Sequence, residues 1–347
     1  GLVINAQQLY DGMGALNGSH YSNYPPVNQL FFAIGSLWTG KGVLGSVIVL
    51  RIVTILADIG ILYYGKKLLE QLQLPVKNIF WYFLNPFIII ELTGNLHFEG
   101  VMLFFVVWSL YSLHKGKWFW AAVLLGVSVS VKLIPLLFLP LFFKYFVKKK
   151  AIGKGFSKLS MFYIVTLATV TLTFTPFLSS EFISNFSQSI LLWFQNFEFN
   201  ASVYYIIRYI GFQTIGWNII ADVGKILPLV VIFVLLLLAF FRRNDTTQKL
   251  ITVMLLGISF YFLLSTTIHP WYVATPLMLS VFTKYKFPIV WSLLVMLSYS
   301  AYGADGYSEN LWLVAVEYLI VIGVAILEMV RYDHLPWGKK SEIIEQR

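Results

Sequence analysis

Long apolar stretches alternate with short polar connections along nearly the whole chain, and successive connections differ in kind. One set carries Lys66-Lys67, Lys77, Lys115, Lys117, Lys144, Lys148-Lys149-Lys150, Lys154, Lys158, Arg242-Arg243, Lys249, Lys284, Lys286 and Arg331. The set between them carries Asp11, His97, Glu99, His269, Asp305 and Glu309 instead. Basic loops stay cytoplasmic during insertion, so this alternation predicts a multi-span protein and assigns a face to each polar cluster.

The pattern predicts an outer loop over 1–26 and a short apolar helix over Val27–Trp38, below the ~20 residues a span needs and lying in the outer leaflet. Spans are expected over Val43–Gly65, Asn78–Thr93, Val101–His114 and Trp118–Val131, with a tight outer turn at Gly94–Gly100. Lys132-Leu133-Ile134-Pro135 then breaks a hairpin whose second limb is Leu136–Phe146. Pro135 and Pro140 remove backbone donors there, and a broken helix at membrane depth lines a cavity rather than facing lipid. Met161–Phe177, Ile226–Phe241, Leu250–Thr267, Trp271–Phe282, Phe287–Ala301 and Leu311–Val330 continue the array. Between them, 178–225 interleaves Phe182, Phe186, Trp193, Phe194, Phe197, Phe199, Tyr204 and Tyr205 with polar residues, the composition of amphipathic helices at an interface.

The fold expected is an all-α, polytopic integral membrane bundle of about eleven spans. It forms one domain over 1–347, with 1–42 as outer loop and short helix, 178–225 as outer interfacial segment and 332–347 as cytoplasmic tail. The polar opening segment falls on the outer side, so a first span and more of the first outer loop are expected upstream of Gly1.

Composition agrees: 58% hydrophobic and only 12% charged residues are outside the range of soluble domains. The formal charge of +9 is accounted for by topology, which leaves no basic stripe for nucleic acid. With no Cys, disulfides, thiolate catalysis and zinc–thiolate or iron–sulfur sites are excluded.

An ionised group inside a span asks for a reason. Arg51 and Asp58, seven residues apart on one helix face, suggest an intramembrane ion pair, direct or through a third group. Glu91 to Gly100 packs two carboxylates, His97 and Asn95 between two spans. This is either a solvated turn with Asn95 capping the next helix or a half-desolvated pocket suited to acid–base chemistry. Lys132 either snorkels to outer headgroups or holds an anion such as a lipid phosphate. His269-Pro270-Trp271-Tyr272 is either an interfacial belt or a set of donors for phosphate or sugar oxygens. Asn17, Asn185 and Asn200 head glycosylation-type triplets on the outer side.

Tyr24-Pro25-Pro26, Gly94-Asn95-Leu96-His97-Phe98-Glu99-Gly100, Val131-Lys132-Leu133-Ile134-Pro135 with Leu139-Pro140, and His269-Pro270-Trp271-Tyr272 run in order along most of the chain. As an ordered set they resemble the GT-C superfamily of polyprenyl-phosphate-sugar-dependent glycosyltransferases. The likeness is nearest to mannosyltransferases of glycosyltransferase family 87 and of the GPI mannosyltransferase I type. The resemblance implies an inverting hexosyltransferase, a mannosyltransferase-like enzyme of a bacterial cytoplasmic membrane with its site facing outward. It would pass a hexose, mannose by resemblance, from a polyprenyl-phosphate sugar to a hydroxyl of a glycan or lipid-linked acceptor. No cofactor or metal is expected beyond the lipid-linked donor itself. Glu99, His97 and Asp11 are the expected catalytic residues, with the principal acid of the first outer loop upstream of Gly1. Asn95, Lys132, His269, Tyr272 and Tyr24 are the expected substrate-binding residues. A transporter or flippase of a lipid-linked or small polar substrate is the competing class, since broken helices and buried charges occur there too.

Overall fold

The structure, a computed structural model, describes residues 6–13, 18–38, 43–195, 197–303 and 306–332. Asn17, Asp305, the tail from 333 onward and the side chains of Trp193 and Phe194 lie outside the described residues. Among the described residues, the α-helices of seven or more residues are α1 (Ala6–Gly12), α2 (Pro26–Ser36), α3 (Val43–Gln71), α4 (Glu99–His114), α5 (Trp118–Val131), α6 (Ile152–Phe174) and α7 (Ser180–Gln195). They continue with α8 (Val203–Thr214), α9 (Ile220–Phe241), α10 (Thr247–Leu264), α11 (Ala274–Ser280), α12 (Phe287–Leu294) and α13 (Leu311–Tyr332). Among the described residues, the strands are confined to the small hairpin Tyr302–Gly303 and Gly306–Tyr307.

Among the described residues, five helical segments are long and apolar enough to cross a membrane: α3, Lys149–Phe177 around α6, α9, α10 and α13. A sixth arises if Pro86–Gly94 and α4, bent by 112° at their junction, are counted as one broken span. The chain is thus an all-α membrane protein, but of the eleven crossings expected these are the ones with membrane length. The remaining apolar runs are short or subdivided. Val76–Gly94 splits at Asn85-Pro86 into 3₁₀, α and π pieces, Ile134–Phe142 winds as 3₁₀ around Pro140, and Pro270–Ser280 is a 3₁₀ turn leading into α11. Proline removes a donor from each ladder, so those runs pack against the long helices instead of extending.

Each of the long helices has basic residues toward, or just beyond, one end. Lys66-Lys67 close α3, Lys154 and Lys158 open α6, Arg242 follows α9, Lys249 opens α10 and Arg331 closes α13. At the opposite ends stand the Glu91–Glu99 bend, Lys132 and the 265–269 loop.

The Arg51–Asp58 link passes through a third group, Thr93. Arg51 donates from Nε to the Thr93 carbonyl and from Nη2 to that of Gly94, both at 3.1 Å, while the Thr93 hydroxyl donates to Asp58 Oδ2 at 3.2 Å. These bonds satisfy carbonyls at the end of the π-helical turn Ile89–Gly94, where the normal ladder stops. Leu96 then takes a left-handed φ of 60°, which turns the chain into α4. A branched side chain seldom adopts that conformation, so it marks a constrained corner.

Close approach of α5 and α6 depends on Gly126, where a Cβ would lie 2.7 Å from Thr169 Cβ and 2.8 Å from the Thr166 carbonyl. The outer segment is tied to α13 by Asn200, fully buried, whose amide donates to Glu317 at 3.3 Å while Trp291 Nε1 donates to the same oxygen at 2.9 Å. In the folded protein the Asn200-Ala201-Ser202 triplet therefore offers no accessible amide. Gly126→Val should lower the thermal midpoint in detergent, at a cost of about 1–3 kcal/mol from overpacking. Gly153→Ala, with nothing within 4 Å of its added Cβ, should leave it unchanged or slightly raised. Equal midpoints for the two variants would refute this packing.

Candidate active site

Lys132 ends α5 in an extended conformation, φ −148° and ψ 141°, which throws its side chain out of the helical stack. The preceding carbonyl, of Val131, is held by the buried Asn28 amide at 3.3 Å, so α2 fixes where the extension begins. The ammonium forms an ion pair with Glu99, the first residue of α4. It also lies 5.3 Å from the Tyr24 ring and 5.6 Å from the Tyr272 ring, within cation–π range of both.

A cavity of about 440 Å³ opens in front of Lys132. Its polar end is formed by Lys132, Tyr24, His269 and Tyr272, with Trp271 beside them. Leu136 and Leu137 of the broken hairpin and Leu227, Val231 and Ile232 of α9 make the apolar wall. Ile232 is 51% exposed, so the wall reaches the lipid-facing surface of the bundle. From the 178–225 segment, Ile190 closes part of the mouth, and Ser189 beside it donates to the Tyr21 carbonyl at 2.8 Å.

His97 and His269 sandwich one indole. The His97 and Trp271 rings stack at 3.5 Å between centroids and 17°, and His269 and Trp271 at 4.5 Å and 8°. Burial and the nearby Lys132 charge lower the His269 imidazole to about 4 and that of His97 to about 3. His97 Nε2 is 3.8 Å from Glu91, which is too long for a hydrogen bond, so burial prevails over the carboxylate's attraction. Both rings are neutral near pH 7. Glu91 is instead bonded by the Tyr299 hydroxyl, 2.9 Å from each carboxylate oxygen.

The segments around Glu99, Lys132 and His269, far apart in sequence, thus converge. Tyr24, Lys132, His269 and Tyr272 line the cavity, but the other expected residues do not. Glu99 is fully buried, with one oxygen on Lys132 and the other without a hydrogen-bond partner. Its carboxylate orients the lysine and is shut off from an incoming acceptor, which corrects its expected place at the reacting atoms. Asn95 does not cap α4, whose N-cap is Phe98 without a side-chain bond; its amide points to Glu91 at 3.5 Å. Asp11 is exposed on α1, accepts from Gln7 at 2.9 Å, and lies outside the cavity lining. His97 reaches the cavity only through Trp271.

Sequence reasoning missed the α9 wall, Tyr261 and the role of Trp271 as a spacer. Pro228, inside α9 and lining the cavity, was the available signal, because a proline at membrane depth marks a helix that borders a cavity. Among the described residues no group of three His, Asp or Glu side chains is placed to hold a metal ion.

Removing one member of a buried pair strands the other, at a cost of about 3–5 kcal/mol. Lys132→Met should therefore destabilise the protein more than Lys132→Met combined with Glu99→Leu, and a double variant no more stable than the single one would contradict the pairing. For His269, folding lowers the pKa from 6.5 to about 4, so its contribution to stability is full above 6.5 and lost as pH falls toward 4. His269→Asn should accordingly flatten the fall in melting midpoint between pH 7 and 4; an unaltered slope would exclude that burial.

No curated protein gives a significant match to the chain. Residues 3–148 match the MptA_B family, described as alpha-(1->6)-mannopyranosyltransferase, N-terminal domain. That stretch contains Tyr24, Glu99 and Lys132, the cation and its supports. Together with the membrane-length helices, the match supports a GT-C-like mannosyltransferase, a glycosyltransferase carried on transmembrane segments.

Proposed function

We propose that this protein transfers a hexose, mannose in the first instance, from a polyprenyl phosphate to a hydroxyl of a glycan or lipid-linked acceptor, with inversion at the anomeric carbon. The observation that carries the reading is the shape of one cavity. A single ammonium and several hydroxyl or imidazole groups sit at its polar end, and an apolar wall runs from there to the lipid-facing surface. A lipid-linked sugar phosphate has the same polarity: an anion at one end and a hydrocarbon chain at the other.

In this reading Lys132 neutralises the phosphate and Tyr272 and Tyr24 flank it. Such preorganised charge matters most where water is excluded, since the leaving phosphate gains charge as the glycosidic bond breaks. Glu99 fixes Lys132 and tempers its charge. The acceptor oxygen attacks the anomeric carbon from the side away from the phosphate, the C1–O bond to phosphate breaks, and the acceptor proton passes to a base at the mouth. Neutral His269 suits that role: a group held near 4 has the proton affinity of an ordinary carboxylate.

The orientation proposed follows from charge. The lysine-rich helix ends face the cytoplasm, so the cavity faces away from it, in a bacterial cytoplasmic membrane. Membrane lipids surround the protein, and nucleic acid has no place in the reaction.

The test uses the full-length protein in membranes with polyprenyl-phosphate mannose labelled in the sugar. Label should appear in an acceptor, and Lys132→Ala should reduce kcat/KM by about 10²–10³-fold, the loss typical of one transition-state charge contact. Glu99→Gln should cost less, because it acts through the lysine. Movement of donor across the bilayer without any new glycosidic bond would replace this reading with a transporter.

A further inference from the structure

The hairpin Tyr302–Gly303/Gly306–Tyr307 pairs Tyr302 directly with Tyr307. Directly opposed residues of an antiparallel pair project on the same face, and these two rings lie 5.7 Å apart. Both stay in the open, 59% and 55% exposed. Phe199, itself buried, is 5.8 Å from Tyr302 and 6.3 Å from Tyr307, and it also meets His269 at 5.3 Å. The backbone fixes this stack: Phe199 N–H donates to the Thr266 carbonyl at 3.1 Å, and the Phe199 carbonyl accepts from Ile268 N–H at 2.8 Å. Two exposed rings are therefore bolted, one residue deep, to the loop that lines the cavity mouth.

Glu309 hydrogen-bonds the Tyr307 side chain and, with its charge, also acts on Tyr302. Glu309 accepts from the Tyr205 hydroxyl and from Asn200 N–H at 2.6 Å. Glu198, 27% exposed, pairs with Arg208 and accepts from Asn218 at 3.3 Å. A pyranose presents the complementary surface, with an apolar C–H face that packs on an aromatic ring and equatorial hydroxyls that bond to carboxylate, guanidinium and amide. Apolar ligand faces of that size are held by flat aromatic surface with a few polar groups fixing orientation.

We infer that the Tyr302–Tyr307 face is the acceptor platform, stacking a sugar residue of an oligosaccharide acceptor some distance from the hydroxyl that reacts at His269. This rests on the transferase reading and adds where the acceptor is held: a glycan of several residues gains the stacked contact that a single sugar, reacting at the cavity, does not reach.

The experiment uses full-length protein in nanodiscs, polyprenyl-phosphate mannose as donor, and methyl mannoside against a ladder of α-linked mannose oligosaccharides as acceptors. Tyr302→Ala and Tyr307→Ala should each raise KM for the longer oligosaccharides by about ten-fold, the effect of removing one stacked ring. KM for donor, and turnover of methyl mannoside, should not change, and Tyr302→Phe, which keeps the ring, should behave as wild type. An unchanged oligosaccharide KM, or an equal rise for methyl mannoside and donor, would overturn the platform while leaving the transferase intact. Should wild type release no sugar from the donor, the transferase reading itself fails. Saturation-transfer NMR of the same oligosaccharides then decides the platform separately: a signal with wild type that vanishes in Tyr302→Ala supports it, and no signal with wild type rejects it.

Discussion

Everything at this site follows from holding one ammonium inside an apolar bundle. Each ion of a buried pair forfeits several kcal/mol of hydration. Lys132 is tenable because Glu99 begins its helix directly behind it and because two phenol rings flank it. Glu99 is there because the chain makes a 112° bend just before α4, and the bend holds because Arg51 and Asp58 reach across to Thr93 and Gly94. Four ionisable groups that look expensive one by one thus support a single geometry. The same lysine charge also helps keep His97 and His269 neutral, so one cation sets the protonation of the imidazoles on either side of Trp271.

Much of this was readable in the sequence where physics leaves little choice. α4, α5, α10 and α13 follow apolar runs to within about three residues at either end, while α3 runs six residues past its expected end and α9 starts six residues before its expected beginning. The runs over 76–94, 134–146 and 270–301 resisted reading. A short apolar run with proline has the same composition whether it crosses lipid or packs inside protein, and here each breaks into 3₁₀, α or π turns. Among site residues, Lys132, His269 and Tyr272 stood out as polar groups between apolar runs, and Tyr24 through the Tyr24-Pro25-Pro26 resemblance. Glu99 stood out as well, but sequence could not say which way it faces. That depends on a left-handed Leu96 and a π-helical turn, features without a compositional signature.

The site is assembled from two unlike portions of the chain. Tyr24, Glu99 and Lys132 fall within residues 3–148, the stretch matching the alpha-(1->6)-mannopyranosyltransferase N-terminal domain. His269, Trp271, Tyr272 and the α9 wall come from beyond it. The first portion supplies the charge and one side of the apolar wall; the second supplies the other side and His269, Trp271 and Tyr272.

The half-exposed Ile232 on the cavity wall has a kinetic corollary. A hydrocarbon-tailed ligand entering past it arrives by sliding within the plane of the bilayer rather than by diffusing through bulk water. Occupancy would then track the ligand's mole fraction among neighbouring lipids, and adding inert phospholipid would dilute it as surely as adding buffer dilutes a soluble compound.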